Sequence, residues 1–120
     1  MSKHPRISIL TPSFQQAAYL EECIRSVQEQ SGAEVEHIIM DGGSTDGSKA
    51  VIEKYAASLK WWCSEPDGGQ SASINKGLEH ASGDVFTWVN SDDALLSGAL
   101  AKVSEAFSRD PDLLVFGGRL

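Results

Sequence analysis

The chain has 120 residues, enough for one domain with its own core and no need of disulfide or metal staples. At 41% hydrophobic and 22% charged residues it has the composition of an ordinary soluble globular protein. The net charge is −7 and the ten Lys and Arg are scattered without a block or stripe, which argues against a nucleic-acid-binding surface, since that needs a basic footprint.

Short β-rich runs alternate with amphipathic segments along the chain. "RISIL" (6–10) predicts a strand ending at "TPSF". A helix follows over 17–30, with Leu20, Ile24 and Val27 at i, i+4 and i+7. "VEHIIM" (35–40) predicts a second strand that breaks at "DGGSTDG", and a helix over 48–58 carries Val51, Ile52, Tyr55 and Leu59 as one stripe. "KWWCSE" (60–65) is a third strand ending at "PDGGQ", followed by a helix over 70–81 with Ile74 and Leu78. "DVFTWV" (84–89) reads as a buried fourth strand, and a helix over 97–109 carries Leu100, Val103 and Phe107. "LLVFGG" (113–118) completes the pattern as a fifth strand. Five strands alternating with four helices predict an α/β fold, a mostly parallel sheet with helices on both faces. There is no internal repeat and no low-complexity segment. Residues 1–120 read as a single domain whose last strand is followed by only two residues, so the chain reads as the front part of something longer.

Cys23 falls on an apolar helical face and Cys63 in an apolar run, without metal-ligand spacing, so both read as reduced core thiols. No stretch reaches the ~18 apolar residues of a membrane span. "MSKHPR" runs into a strand pattern and not a signal-peptide core. The expected location is cytoplasmic, with peripheral association at the inner face of a membrane left open. His4, His37 and His80 lie far apart without ligand-like partners and read as surface or structural.

The unusual residues gather after the strands, where ligands bind in open α/β sheets. Thr11, Pro12, Ser13 and Phe14 follow the first strand; Asp41, Gly42, Gly43 and Asp46 the second; Asp67, Gly68 and Gly69 the third; Asn90, Ser91, Asp92 and Asp93 the fourth. Asp and Gly are also turn and cap residues, and Asp46 before a helix suits that role. Carboxylates after three strands nonetheless make an acidic rim. Such a rim suits a cationic ligand, or Mg²⁺ or Mn²⁺ bringing phosphates with it. Several rivals fall away. "DGGSTDG" lacks the G-x-G-x-x-G spacing and the Lys-Ser/Thr ending of a phosphate loop. Counted as a calcium loop from Asp41, its twelfth position is Ile52 and not Glu. No G-x-S-x-G elbow is present.

"ISILTPSFQQAAYLEECIRSVQEQ", "HIIMDGGSTDGS" and "SEPDGGQSASINKGLEHASGDVFTWVNSDD" resemble, in order and over nearly the whole chain, the inverting family 2 glycosyltransferases of the GT-A fold. The resemblance implies a Rossmann-like GT-A sheet truncated after about its fifth strand, the N-terminal donor-binding half of the enzyme domain. It implies a nucleotide-sugar donor, commonly a UDP-sugar, and a divalent metal, Mn²⁺ or Mg²⁺. By motif position, Thr11, Pro12 and Phe14 frame the base and ribose, and Asp41 hydrogen-bonds the base. Asp67 lies beside the nucleotide; Gln70 and Asn75 line the donor pocket. "NSDD" matches the DxD motif, with Asn90 and Ser91 on the donor side and Asp92 as the metal ligand. Asp93 is either a helper of that site or a cap for the next helix.

Three departures stand out. Asn90 replaces a frequent Asp, and Ile74 a frequent Arg. Nothing matches the family's catalytic base, an Asp or Glu of the second half, expected beyond Leu120. The implied reaction transfers a sugar with inversion to a glycan or lipid-linked acceptor in cell-envelope synthesis, and this chain alone is expected to be inactive. Two alternatives stay open: a non-catalytic, truncated or degenerate nucleotide-sugar-binding or assembly module, and a nucleotidyltransferase. The second would want a Gly-rich basic loop after the first strand, and "TPSFQQAAYL" has neither Gly nor a basic residue. A sheet cut short also exposes an edge, which predicts a homodimer.

Overall fold

The computed structural model describes residues 5–109. It contains four strands, β1 (Arg6–Ser13), β2 (Glu34–Asp41), β3 (Trp61–Ser64) and β4 (Val85–Trp88), and four α-helices, α1 (Ala17–Gln28), α2 (Ser48–Lys54), α3 (Gln70–Leu78) and α4 (Ala99–Arg109), with a 3-10 turn at Ala56–Ser58. The sheet is parallel throughout, in the order β3-β2-β1-β4. The expected α/β architecture is therefore present. The fifth expected strand, 113–118, lies outside the described residues.

Strand alternation sets the two faces. Ile7 and Ile9 point to one face and pack with Cys23 and Val27 of α1 and Leu100 and Val103 of α4. Ile39 on the same face meets Leu20 and Ile24 of α1 and Ile52 of α2. Leu10, Ile38 and Met40 point the other way, toward Ile74 of α3. Helices α1 and α2 thus follow the sheet outward from β1 to β3 on one side. Helix α3 lies on the other because the chain must cross back to place β4 beside β1, and crossovers of one hand require that change of face.

β1 runs further than its apolar core predicted, through Thr11 and Pro12 to Ser13. It pairs with β4 only as far as Leu10↔Trp88, so at Pro12 the strand has β2 alone beside it, an edge-like setting that tolerates a missing N–H. β4 departs from the expected buried strand. Its residues alternate, and Phe86 and Trp88 are more than half exposed. Helix α3, the cover on that face, packs over β1 and β2 instead. The helices are also shorter than their apolar periodicity predicted, α3 stopping at Leu78 and α4 starting at Ala99.

Candidate functional site

The C-terminal ends of all four strands converge on one side, and a cleft of about 560 Å³ opens there. Pro12 and Phe14 come from the end of β1, Gly42 from the end of β2, Asp67 from the loop after β3, Gln70 from the first turn of α3, and Asn90 and Asp92 from the turn after β4. The Phe14 ring stands more than half exposed at the mouth. Opposite it, the Asp67 carboxylate is fixed by the Gly69 N–H at 3.0 Å and by the Ser73 hydroxyl at 2.6 Å. Gly42 separates the two. A Cβ there would stand 3.3 Å from both Asp67 Oδ1 and Phe14 Cδ1, so only a residue without a side chain leaves this gap open.

On the other wall, Gln70 Nε2 donates to Asn90 Oδ1 at 3.1 Å, tying α3 to the turn after β4. That turn is closed by the Asp93 N–H on the Asn90 carbonyl at 2.9 Å. Behind it, the Cys23 thiol donates to the same carbonyl at 3.6 Å. Asp67 and Asp92 form no ion pair among the described residues, and the neighbouring cation Lys76 is held by Glu65 at 2.6 Å. The cleft therefore presents uncompensated negative charge.

The structure brings Pro12, Phe14, Asp67, Gln70, Asn90 and Asp92 together, and it places the other expected site residues elsewhere. Thr11 is fully buried within the sheet, its hydroxyl 2.7 Å from His37 Nε2. Asp41 is fully buried too. Its carboxylate accepts from the N–H groups of Gly43 and Ser44 and from the hydroxyls of Ser44 and Ser64. These bonds hold the Asp41 carboxylate at the end of β2, beside Gly42 of the cleft. Ser91 is buried behind the turn, and Asn75 is exposed on α3 away from the cleft. Asp93 precedes α4 by six residues and is not its cap.

Sequence reasoning did not assign Gln16 or Ser73 to the site, although both line it. Gly42 carried a usable signal, a glycine directly after a strand-ending Asp. Ser73 carried none, because a serine inside a helix has no distinctive pattern. Asp46 does act at helix starts: its carboxylate accepts from the Ser48 N–H of α2 and the Ala17 N–H of α1, and these bonds, the Ser48 hydroxyl first, hold it below the usual carboxylate range.

Among the described residues there is no group of three or more His, Cys, Asp or Glu placed to hold a metal ion. Asp92 and Asn90 offer one carboxylate and one amide on the cleft. That donor set fits a hard divalent ion that takes its remaining ligands from phosphate oxygens and water.

A parallel sheet with an open acidic cleft at its strand ends is the architecture of Rossmann-like α/β ligand-binding domains. Residues 8–120 match the profile described as glycosyl transferase family 2, and the chain belongs to that family. An uncharacterised glycosyltransferase of Mycobacterium tuberculosis is 37% identical over 90% of this chain and 42% of its own length. The GalNAc(5)-diNAcBac-PP-undecaprenol beta-1,3-glucosyltransferase of Campylobacter jejuni is 32% identical over 84% of this chain and 34% of its own. Residues 1–349 of TarS from S. aureus, solved with UDP-GlcNAc, superpose with a TM-score of 0.77 at 25% identity, covering 87% of this chain and 31% of that one. The chain thus spans less than half the length of these relatives. No helix among the described residues is long and apolar enough to cross a membrane.

Proposed function

We propose that this chain binds a nucleotide-sugar donor, a UDP-sugar, in the cleft and supplies the donor and metal half of an inverting glycosyltransferase. The observation that carries the reading is the convergence of Phe14, Asp67, Gln70, Asn90 and Asp92 on one cleft from the connections that follow three strands, β1, β3 and β4. Phe14 and Pro12 give an apolar wall for a flat base. Asp67, held by Ser73 and the Gly69 N–H, is oriented to accept from a base N–H. Gln70 and Asn90 present amides to the ribose and phosphates. Asp92 holds Mn²⁺ or Mg²⁺ through its exposed carboxylate. A divalent ion there would offset the charge that builds on the departing diphosphate.

In the reaction an acceptor hydroxyl attacks the anomeric carbon, its proton passes to a carboxylate base, and the nucleoside diphosphate leaves. No residue of this chain is assigned as that base, which would have to stand within hydrogen-bond reach of the acceptor. The acceptor is a glycan or lipid-linked intermediate of the cell envelope, a reading supported by the name of the Campylobacter relative. The place of action is the cytoplasm or the inner face of the membrane, and the chain pairs with a second copy through β4.

The test is calorimetry of UDP binding with and without Mn²⁺, repeated on Asp92→Ala. Metal-dependent binding that the variant loses supports the reading. Absence of UDP binding in both conditions overturns it for this chain.

A further inference from the structure

We infer that Ser26 and Gln30, at the end of α1, are positioning residues for the turn that carries Asp92. This rests on the reading of Asp92 as the metal ligand of the donor cleft. No strand or helix covers residues 89–98. Among the described residues, the backbone bonds that close this connection on itself are the Asp93 N–H on the Asn90 carbonyl at 2.9 Å and the Ala99 N–H on the Leu96 carbonyl at 3.1 Å. Much of its remaining hold comes from side chains of one helix that lies some seventy positions earlier in the chain.

Ser26 and Gln30 are four residues apart, about one helical turn, so both look to the same side. The Ser26 hydroxyl donates to the Cys23 carbonyl at 2.7 Å and accepts the Leu95 N–H at 2.9 Å. Gln30 sits just past the last turn of α1, its own N–H on the Val27 carbonyl at 3.2 Å. That leaves the Ser26 carbonyl without a helical donor, as the last carbonyls of any helix are. Gln30 Nε2 supplies one at 3.1 Å and donates to the Leu96 carbonyl at 2.9 Å as well. Gln30 Oε1 accepts the Leu100 N–H at 3.0 Å, one of the first-turn donors of α4 that has no partner within its own helix. One amide thus closes the end of α1, the connection and the start of α4. A turn further up α1, the Cys23 thiol meets the Asn90 carbonyl. Asp92 therefore stands in a turn tied down on both sides to a single stripe of α1.

The tie matters because Asp92 and Asp93 are adjacent like charges that repel. A turn left free would have to be ordered by the ion itself, and that cost would be taken from the affinity. A turn already held binds without it.

The experiment uses the whole chain. Ser26→Ala and Gln30→Ala cut the tie, and Ser26→Thr keeps the hydroxyl. Gln28→Ala is the control, since it removes another long-range bond of the same helix, Gln28 Nε2 to Ser58 Oγ at 2.7 Å, which does not touch the turn. Amide resonances are followed first, without ligand or metal. Ser26→Ala and Gln30→Ala should move the Asp92 and Asp93 signals, Ser26→Thr should return them, and Gln28→Ala should leave them in place. UDP affinity is then measured with and without Mn²⁺. The gain that Mn²⁺ brings should fall by roughly fivefold in Ser26→Ala, the size of one hydrogen bond, and further in Gln30→Ala. Metal-free UDP affinity should stay at the wild-type value in every variant. A purely structural role would lower the urea midpoint and leave the Mn²⁺ gain unchanged. Should Gln30→Ala fail to fold, Gln30→Glu takes its place, keeping the oxygen for Leu100 and giving up the donor for Leu96.

Unmoved Asp92 and Asp93 signals in the cut variants overturn the proposal, as does an unchanged Mn²⁺ gain in them when wild type shows one. If wild type shows no gain with Mn²⁺, the metal reading of Asp92 fails, and the amide signals alone decide whether α1 sets the turn.

Discussion

The side-chain amide of Gln70 and that of Asn90 meet at 3.1 Å, joining the first residue of α3 to the turn that carries Asp92. Gln70 can donate equally well to a carboxylate. Asn90→Asp therefore keeps the tie and adds a negative charge two residues from Asp92. Mn²⁺ affinity, followed by electron spin resonance titration, should rise on the order of tenfold, the size expected for one more screened charge near a divalent ion. Unchanged affinity would mean that position 90 stands out of range of the metal.

Cys23 and Cys63 should differ sharply toward thiol reagents. Cys23 is fully buried, and burial pushes its thiol up to about 11. Cys63 is partly exposed, and its thiol is also raised, burial being the largest cause. The thiolate is the reactive form, so at neutral pH Cys63 should label slowly and Cys23 only on unfolding. Iodoacetamide labelling read by mass spectrometry of peptides, with and without urea, checks this order.

The same contrast shows what the sequence could reveal. The alternation of strands and helices was legible because the apolar stripes are long: Leu20, Ile24 and Val27 do bury one face of α1, and Ile38, Ile39 and Met40 do form the centre of β2. The motif residues around the cleft were legible by position, as Asp67, Gln70 and Asp92 show. What a side chain does at the end of a strand was not. Thr11 and Asp41 have the right type and spacing for ligand contact, and the bonds they also make to neighbours far away in sequence, His37 and Ser64, carry no mark in the sequence. The exposure of Phe86 and Trp88 was hidden for a related reason. Apolar content marks a strand, but cover depends on where α3 lands.

His37 should make stability fall in mild acid. It is fully enclosed, and burial pushes its imidazole from 6.5 down to about 3. Its Nδ1 has no partner among the described residues. In the folded protein the ring stays neutral until about pH 3, whereas in the unfolded chain it gains a proton below pH 6.5. Between these limits the unfolded state binds more protons, so stability is full above pH 6.5 and declines as pH falls. The slope from this group is about 1.4 kcal/mol per pH unit. Urea midpoints at pH 7 and pH 5 should differ accordingly, and His37→Gln should flatten that difference.

Two glycines with similar crowding should tolerate alanine differently. A Cβ on Gly83 would stand 2.8 Å from the Arg6 carbonyl and 2.9 Å from the Ser8 nitrogen, both backbone atoms of β1. A Cβ on Gly77 would meet Met40 Sδ at 2.6 Å and Cε at 3.0 Å, atoms of one flexible side chain able to shift. Overpacking of this kind costs about 1–3 kcal/mol where side chains yield, and more where backbone must move. Gly83→Ala should therefore lower the urea midpoint further than Gly77→Ala. Equal losses would mean that the entry to β4 moves away from β1 without penalty.

The outer side of β4 offers the last prediction. Phe86 and Trp88 lie on one face of the strand, each more than half exposed, and among the described residues β4 pairs only with β1. An edge strand with two exposed aromatics is a template for association, which natural edges usually blunt with charge. If two copies meet there, Phe86→Lys and Trp88→Lys should each weaken the dimer by placing a charge in an apolar contact. The test is sedimentation across a concentration series. Wild-type chain should shift from monomer to dimer as concentration rises, and both variants should stay monomeric further up the series. The α1 face gives the control: Tyr19 is similarly exposed, and Tyr19→Lys should leave the association unchanged. Equal effects at all three positions would point to general stickiness and not to pairing through β4.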